Sequence, residues 1–332
     1  MFDKNVKIAV VGAGAIGGIT AAIFVKEGYD VEVVSKYHGD EEKSKFRVFG
    51  ECGEIESFVK TVCSIPEMTG VKDVVFLATK ANDCFDAARG LLPYLHDNSA
   101  VVSLQNGLCE DELETILGIN RTIGCVVEWS ATRHDSDSFE MTADGEFIIG
   151  RLDGLDDSRL NLIQKMMDAI VPTRLSSNMR GELYSKLVIN ACINSLSVIA
   201  GQTTGEIVKS KKIRTVFIAI ILEAMAVADK LNIKVAPRGG GKLNYYTFMA
   251  GKSFLSNLKR HIMVFGIGFK TRKIIPSSLQ SLYRSQVTET EFFNGYISQN
   301  GKKLGIPTPA NNMVVTVIKE IENGEREMGD YF

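Results

Sequence analysis

The chain has few of the residues on which metal sites and nucleophilic triads depend. Its 332 residues include four histidines, six cysteines and one tryptophan. The histidines are scattered, and none stands in a carboxylate-and-nucleophile pattern, which excludes an evident Ser-His-Asp site. The cysteines form no Cys-x-x-Cys pair and no metal-ligand spacing, so the sequence predicts reduced thiols and no bound metal.

Strong charge and long apolar runs are lacking as well. The net charge is −2, so neither nucleic acid nor an anionic membrane is expected as a partner. The longest apolar run, Val216–Ala228, is shorter than the ~20 residues of a membrane span and contains Glu223. The N-terminus lacks the residue order of a signal peptide. We therefore expect a cytoplasmic protein.

The chain changes its pattern near residue 176. Before that point short β runs alternate with helical stretches, which predicts an α/β Rossmann-type domain with a mostly parallel sheet over residues 1–176. Two antiparallel hairpins are predicted, one over Phe46–Ser64 and one around Asp144-Gly145. From 177 to 332 the pattern predicts an all-α domain for substrate and dimer contacts, with helices at 180–200, 211–231, 242–262, 288–304 and 309–322.

A glycine-rich loop follows the first predicted strand. Residues 12–17 read GAGAIG, a GxGxxG between a β run and a helix. Glycines at these places permit a tight turn and close approach of a pyrophosphate to the helix N-terminus. We expect the loop to bind a dinucleotide through its six residues, which are Gly12, Ala13, Gly14, Ala15, Ile16 and Gly17.

The end of the second strand decides which dinucleotide is expected. An NAD site places an acidic residue there for the ribose 2′-hydroxyl. Here the strand ends in Ser35-Lys36, with Arg47 as a candidate further on, and a hydroxyl with a cation suits a 2′-phosphate. The sequence favours NADP(H), while Glu32, in the middle of the strand, keeps NAD open.

Two further strand ends carry polar residues. Lys80 follows one β run and Asn106 follows the next. Ligands of open α/β sheets bind at these carboxyl ends, so both are candidates for the site. The alternatives are an exposed loop lysine and a turn residue before Gly107.

A polar stripe interrupts an apolar helix of the second domain. Lys186, Asn190 and Asn194 are four apart, so they share one face of a predicted helix that is otherwise apolar. Buried amines and amides need partners. The stripe therefore predicts either a ligand site or contacts with a facing domain.

Together these motifs resemble the ketopantoate reductase family. The similarity rests on GAGAIG, Thr79-Lys80, Gln105–Gly107, the KxxxNxxxN stripe, and the late stretches PSSLQSLYRSQVTETEFFNG and KKLGIPTPAN. It implies a Rossmann domain, a helical domain and an active site in the cleft between them. It also implies that Lys186 is the proton donor and that Asn190 and Asn194 hold the substrate.

The same resemblance implies roles for residues outside the stripe. Ser277 would contact the substrate carboxylate, and Glu289 would lie at the active site near the cofactor. Asn106 would lie near nicotinamide and substrate, and Ser130 would line the cofactor. Local alternatives exist: Ser277 as a helix N-cap after Pro276, and a capping box formed by Thr288 and Glu291.

The resemblance leads to a functional hypothesis with two alternatives. We expect NADPH-dependent reduction of 2-dehydropantoate to pantoate, a step of pantothenate biosynthesis, with Lys186 as general acid. Ser281, Thr204 and a long 238–275 segment depart from the family pattern. The cations of that segment, if not a solvated face, would suit a larger or more anionic 2-keto acid; they are Lys252, Lys259, Arg260, Lys270, Arg272 and Lys273. A non-catalytic NADP sensor is the second alternative. The apolar helix Ile213–Asp229 makes a homodimer a further expectation.

Overall fold

The computed structural model describes residues 5–38, 43–239, 241–251, 253–270 and 275–332. The chain divides into two compact units, Met1–Met179 and Arg180–Phe332. The first unit is α/β and the second is helical. The predicted fold class is therefore confirmed.

The first unit contains one large sheet. Its strands are β1 (Lys7–Val11), β2 (Asp30–Val34), β3 (Lys43–Gly50), β4 (Ile55–Val62), β5 (Lys72–Leu77), β6 (Leu95–Ser103), β7 (Thr122–Val127), β8 (Ser130–Arg133), β9 (Ser138–Ala143), β10 (Phe147–Arg151) and β11 (Thr173–Leu175). Its helices are α1 (Ala15–Lys26), α2 (Ala81–Leu91), α3 (Glu110–Leu117) and α4 (Arg159–Asp168).

The centre of the sheet is parallel, and its order reverses at β1. The strands follow the order β11-β10-β7-β6-β5-β1-β2-β4-β3-β9-β8. From β7 to β4 every neighbouring pair is parallel. Strand β1 lies between β5 and β2, so the crevice at its carboxyl end is the switch point at which open α/β sheets bind ligands.

One of the two predicted hairpins is wrong. Strands β3 and β4 form the expected antiparallel pair, but β9 and β10, on either side of Asp144-Gly145, do not pair. Strand β9 pairs with β3 and β8, and β10 pairs with β7. The turn packs elsewhere: a Cβ on Gly145 would lie 2.3 Å from the Glu128 carbonyl oxygen. Turn residues indicated a reversal, but they could not indicate the partner of each strand.

The strands at the far end of the sheet pack against the first helix. Strands β8 and β9 both contact α1, and Phe139 of β9 lies against Gly18 of α1. A Cβ on Gly18 would be 2.4 Å from the Phe139 ring, so only glycine permits this approach. The curl brings β8, last in the strand order, back to the helix that follows the glycine loop.

The second unit consists of helices, with α5 beginning at the unit boundary. They are α5 (Met179–Ala200), α6 (Thr204–Ile207), α7 (Lys211–Lys230), α8 (Tyr245–Met249), α9 (Phe254–Lys270), α10 (Ser277–Tyr283), α11 (Asn294–Leu304) and α12 (Pro309–Glu322). The helices predicted at 180–200, 211–231 and 309–322 are confirmed to within one residue. Helices α4, α6 and α10 were not predicted.

Two predicted helices differ from those observed. The stretch 242–262 is not one helix, because Arg260 of α9 donates to the carbonyls of Phe248, Met249 and Gly251 and so ends α8. The stretch 288–304 becomes α-helical only at Asn294, after a 3₁₀ turn. In the first stretch, the hydrogen bonds of Arg260 interrupt a helix that the periodicity predicts as continuous. In the second, the 3₁₀ turn delays the start of the α-helix.

The apolar runs of the second unit are mostly core. Helix α7 buries its apolar residues, Phe217, Ile220 and Ile221 among them. By length and composition one helix of the described residues could cross a membrane, α5, but 78% of its most apolar window is buried inside the protein. A core helix shows that property, so α5 is explained by packing.

Candidate functional site

The glycine loop joins β1 to α1 with two glycines that the fold itself requires. Gly12 has φ +105°, and a Cβ there would lie 2.9 Å from the Ala78 carbonyl carbon and the Thr79 nitrogen. A Cβ on Gly17 would lie 2.0 Å from the Gly12 carbonyl oxygen. Gly14 differs, because its nearest contact would be 4.0 Å away. The space beside Gly14, at the α1 N-terminus, is open to an anion such as a pyrophosphate.

The ends of β5 and β6 are tied together by Gln105. Its side-chain nitrogen donates to the carbonyls of Leu77 (2.9 Å) and Thr79 (3.1 Å), and its oxygen accepts from Ser103 Oγ (2.8 Å). Sequence reasoning used Gln105 only as part of a motif. The structure shows that this buried amide holds the two strand-end loops in place.

Two predicted residues lie on those loops. Exposed Lys80 directly precedes α2, and Asn106 follows Gln105. The neighbouring Thr79 hydroxyl is buried and has no partner among the described residues. A dinucleotide at the loop would supply such a partner, so this edge fits one.

Glu32 belongs to the core of the first unit, not to the tip of β2. Its carboxylate accepts from Lys72 Nζ (2.6 Å), Lys60 Nζ (3.0 Å) and both the nitrogen and hydroxyl of Thr69. Burial alone would raise the pKa of Glu32, but these hydrogen bonds outweigh it and hold the pKa at about 2. A carboxylate committed in this way is not available to a ribose, which removes the residue that kept NAD open.

The tip of β2 instead presents a hydroxyl and a cation. Ser35 is buried, and its Oγ lies 2.9 Å from His38 Nδ1. Lys36 is exposed, with Nζ 5.4 Å from the centre of the Tyr37 ring. Gly12 donates to the carbonyl of Val34, so the tip is bonded directly to the glycine loop.

The far strand contributes one predicted residue and one that was missed. Ser130, exposed, begins β8, and Arg133 ends it. The Arg133 guanidinium carbon lies 4.3 Å from the centre of the Tyr37 ring. Arg47, the sequence candidate for a second cation, stands in the middle of β3, exposed and opposite Glu56. No local pattern marked Arg133, because only the curl of the sheet brings it to β2.

The polar stripe occupies the less buried face of α5. Lys186 and Asn190 are half-buried and Asn194 is 6% exposed, while Leu187, Ala191 and their neighbours are fully buried. The half-buried Glu182, Ile189 and Ile193 lie along the same side. The predicted shared face is therefore present, and it is the side of the helix on which a ligand could lie.

Ser277 meets this stripe. Its Oγ lies 3.4 Å from Asn194 Oδ1, and the residue begins α10. The alternative of an N-cap is wrong, because Pro276 occupies that position and no side chain caps the helix. The structure thus brings Asn194 and Ser277 together, with Ser278 buried beside them.

Glu289 comes from a separate segment between α10 and α11. It is half-buried and directly precedes the 3₁₀ turn Thr290–Phe292. The capping box of Thr288 and Glu291 is wrong: Thr288 donates its backbone N–H to Glu322, and Glu291 pairs with Lys319. Thr288 and Glu291 therefore both bond to residues of α12, where the local pattern predicted that they would bond to each other.

A buried polar network stands behind the stripe, and sequence reasoning missed it. Ser195 donates to Asn294 Oδ1, Asn294 donates to Asn311 Oδ1 (2.9 Å), and Asn311 donates to Glu223 (2.7 Å). Glu223 also accepts the N–H groups of Ala310 and Asn311 at the start of α12. The network links α5, α7, α11 and α12, so Glu223, which interrupts the apolar run, fixes the helix that carries Asn194.

Comparison with known proteins identifies the family. Residues 8–154 match the family described as ketopantoate reductase PanE/ApbA, and residues 178–322 match its C-terminal domain. The two matches together take in most of the chain. The chain belongs to the ketopantoate reductase family.

Relatives and solved structures of this family extend over nearly the whole chain. The 2-dehydropantoate 2-reductase of Archaeoglobus fulgidus is 26% identical over 320 residues, covering 96% of this chain and 98% of that protein. A ketopantoate reductase from Ralstonia eutropha JMP134 has a TM-score of 0.79 at 24% identity, covering 97% and 100%. A D-mandelate dehydrogenase solved with NADH and anilino(oxo)acetate has a TM-score of 0.78 at 20% identity, covering 96% and 99%.

Family membership makes the protein an oxidoreductase acting on a CH–OH group. Ketopantoate reductases use NADPH, and the residues of the first unit fit that cofactor on three observations. The space at Gly14 is open at a helix N-terminus, and the buried hydroxyl of Thr79, which adjoins Gly12, has no hydrogen-bond partner in the part of the chain that the structure describes. The exposed cation Lys36, and not an acid, follows β2.

Proposed function

We propose that the protein reduces 2-dehydropantoate to pantoate with NADPH, the reductive step of pantothenate biosynthesis. The observation that supports this most is the α5 stripe. A lysine and two asparagines lie on the helix face that is least buried, and Ser277 contacts one of them. In a family of keto-acid reductases, this set provides a cation for the ketone and hydrogen-bonding groups for the remaining oxygens.

The two units divide the work in this proposal. Residues 1–176 bind NADP(H): the loop Gly12–Gly17 receives the pyrophosphate, and Ser35 and Lys36 receive the adenosine end. Lys80, Asn106, Ser130 and Glu289 line the cofactor. Residues 177–332 bind the keto acid and carry the dimer contacts. When bound, NADPH supplies the hydride.

Lys186 is the general acid of the proposed reaction. Reduction of a ketone builds negative charge on its oxygen, and an ammonium stabilises that charge and donates its proton. Asn190, Asn194 and Ser277 hold the hydroxyl and carboxylate oxygens of the substrate. Asn106 and Glu289 complete the proposed set, the first near nicotinamide and ketone and the second as an acidic group near the cofactor.

A different 2-keto acid is the alternative substrate. A structure of the same fold is a D-mandelate dehydrogenase, so this scaffold accepts more than one 2-hydroxy acid. The basic 238–275 segment supports a larger anion less than its composition suggested, because Arg260 is engaged with the end of α8. Lys252, Arg272, Lys273 and the side chain of Lys270 lie outside the described residues. A sensor without turnover is disfavoured by membership in a family of reductases.

The test is oxidation of NADPH with a panel of keto acids. The panel contains 2-dehydropantoate, benzoylformate, pyruvate and 2-oxoglutarate. We expect the highest kcat/KM with 2-dehydropantoate. A higher value for another keto acid would assign the substrate to that acid, and tight NADPH binding without turnover of any of them would support the sensor.

We also propose a homodimer in the cytoplasm, through α9 and not α7. The apolar face of α7 is used inside the unit, whereas α9 exposes a row of large apolar side chains, namely Phe254 (82% exposed), Leu255, Leu258, Ile262 and Phe265. Rows of this kind mark interaction surfaces. Ile262→Glu should give a monomer in light scattering, while Lys303→Glu, at an exposed position of α11, should leave the dimer intact. A native protein that is monomeric at micromolar concentration would contradict the proposal.

A further inference from the structure

The surface formed by Lys36, Tyr37 and Arg133 is a cluster that the sequence did not reveal. Tyr37 follows Lys36 at the tip of β2 and is 50% exposed, and Arg133 comes from the end of β8. The guanidinium carbon of Arg133 and the ammonium nitrogen of Lys36 lie 4.3 Å and 5.4 Å from the centre of the same ring. One aromatic ring therefore holds two cations close together.

Among the described residues, neither Lys36 nor Arg133 forms an ion pair with a carboxylate, although most arginines of the first unit do. Two neighbouring like charges repel each other. Two cations held against one ring suit a dianion, because a phosphate accepts several charge-assisted hydrogen bonds.

The two cations also lower the pKa of Tyr37. Hydrogen bonding with Arg133 lowers the pKa of the Tyr37 hydroxyl against the opposing effect of partial burial, and the charge of Lys36 adds to the lowering. A tyrosine with that bias is a better hydrogen-bond donor to an anion than an ordinary one. The Tyr37 hydroxyl, as a hydrogen-bond donor, and both cations thus favour negative charge at this surface.

The cluster lies where the adenosine end of a dinucleotide would be. Gly12 is bonded to Val34 at the end of β2, and Lys36 is two residues further. Strand β8 reaches this place because β8 and β9 pack on α1. The pyrophosphate position at Gly14 and the cluster therefore belong to one edge of the first unit.

We propose that Arg133 is a specificity-determining residue, which binds the 2′-phosphate of NADP(H) together with Lys36 while Tyr37 holds its guanidinium in place. This inference rests on the proposed use of NADPH, but it does not depend on the identity of the keto acid. Arg47, which the sequence suggested as the second cation, has no part in this cluster.

Binding of nucleotide fragments tests the inference without turnover. The probes are 2′,5′-ADP and 5′-AMP, with NADPH and NADH as full-length partners, measured by calorimetry. Loss of one charge-assisted contact corresponds to a ~10- to 100-fold weaker affinity. Arg133→Ala should weaken 2′,5′-ADP and NADPH by that factor and leave 5′-AMP and NADH within about threefold.

Two variants serve as controls. Arg174→Ala, on β11 at the opposite end of the strand order, should change none of the four affinities. Arg133→Lys should recover part of the loss, because the charge returns without the planar fork. In the steady state, Arg133→Ala should raise KM for NADPH with kcat little changed.

The outcomes separate this inference from the proposed function. If NADPH and NADH weaken equally in Arg133→Ala, or if neither changes, the inference is overturned whatever the substrate is. If the native protein binds 5′-AMP as tightly as 2′,5′-ADP, no 2′-phosphate site exists and the inference fails. If the 2′-phosphate preference depends on Arg133 but 2-dehydropantoate is not reduced, the inference stands and only the proposed substrate is lost.

Discussion

The two units build their candidate sites from different material. In the first unit the candidate nucleotide edge is largely backbone: a loop in which Gly12 and Gly17 have no room for a Cβ, strand ends and a helix N-terminus. In the second unit the site is a row of side chains on an otherwise buried helix. Backbone geometry imposes rules on the sequence that are visible locally. The role of a side chain on a helix depends on the groups that pack against it, and the local sequence does not specify those groups.

Gly17→Ala should produce the largest loss of stability, because the added methyl group would clash with the backbone of the glycine loop. The new Cβ would lie 2.0 Å from the Gly12 carbonyl oxygen, so the loop or α1 must shift. We expect a loss of stability on the order of 4 kcal/mol, measured by urea unfolding of the isolated variant.

Gly14→Ala is the matched control for that change. Its Cβ would meet nothing nearer than 4.0 Å, so the free energy of unfolding should stay within about 1 kcal/mol of the native value. NADPH affinity should nevertheless fall ~10-fold, since the methyl group occupies the approach of the pyrophosphate. Equal stabilities of the two variants would contradict the division of roles among the glycines.

The pH dependence of stability tests whether Glu32 has a structural role in the first unit. Its pKa of about 2 lies below the ~4.3 of an unfolded glutamate, so its contribution to stability is complete above the unfolded value and is lost as the pH falls towards 2. The loss should be on the order of 3 kcal/mol. Unfolding free energies measured from pH ~6 to ~2 should therefore decline more steeply in the native protein than in Glu32→Gln.

Two controls accompany that comparison. Glu56→Gln removes an exposed carboxylate that pairs with Lys45, and it should leave the pH dependence nearly unchanged. If Glu32→Gln is too unstable to measure because Lys72 is left buried and unpaired, the double variant with Lys72→Met removes both charges. An unchanged pH profile in both Glu32 variants would contradict the assignment.

Lys186→Ala tests the side-chain site of the second unit. The change should lower kcat ~100-fold or more with little change in NADPH affinity, because a general acid acts on the reaction and not on cofactor binding. Rates of NADPH oxidation with saturating keto acid measure it. Lys259→Ala, an exposed lysine of the same unit, should retain the native kcat. A Lys186 variant with native kcat would exclude the lysine as acid.

Ser277→Ala should have the smallest effect. It removes one hydroxyl next to Asn194, so KM for the keto acid should rise ~10-fold while kcat and stability change little. Steady-state kinetics with varied keto acid measure the split. Tyr283→Phe, at an exposed position near the end of the same helix, is the control and should leave KM unchanged. A fall in kcat without a change in KM would place Ser277 among the catalytic groups instead.

Much of the fold and part of the site could be predicted, and the misses share one cause. The GxGxxG loop, the central strands and the α5 face were predictable because each follows from short-range periodicity or turn geometry. The partners of β9 and β10, the break between α8 and α9, and the engagement of Glu291 by Lys319 were not. Each depends on a contact between residues farther apart than the three or four positions that helical periodicity relates.

The sequence by itself determined the two-part organisation, the GxGxxG loop and the lysine–asparagine stripe. Only the tertiary structure decided that Glu32 is a core ion-pair partner, that Gln105 joins two strand ends, and that Arg133 stands beside Tyr37. The physical reason is that a glycine turn or a helical face is specified by neighbours a few residues away. The partner of a charge is specified by which strands the folded sheet brings together.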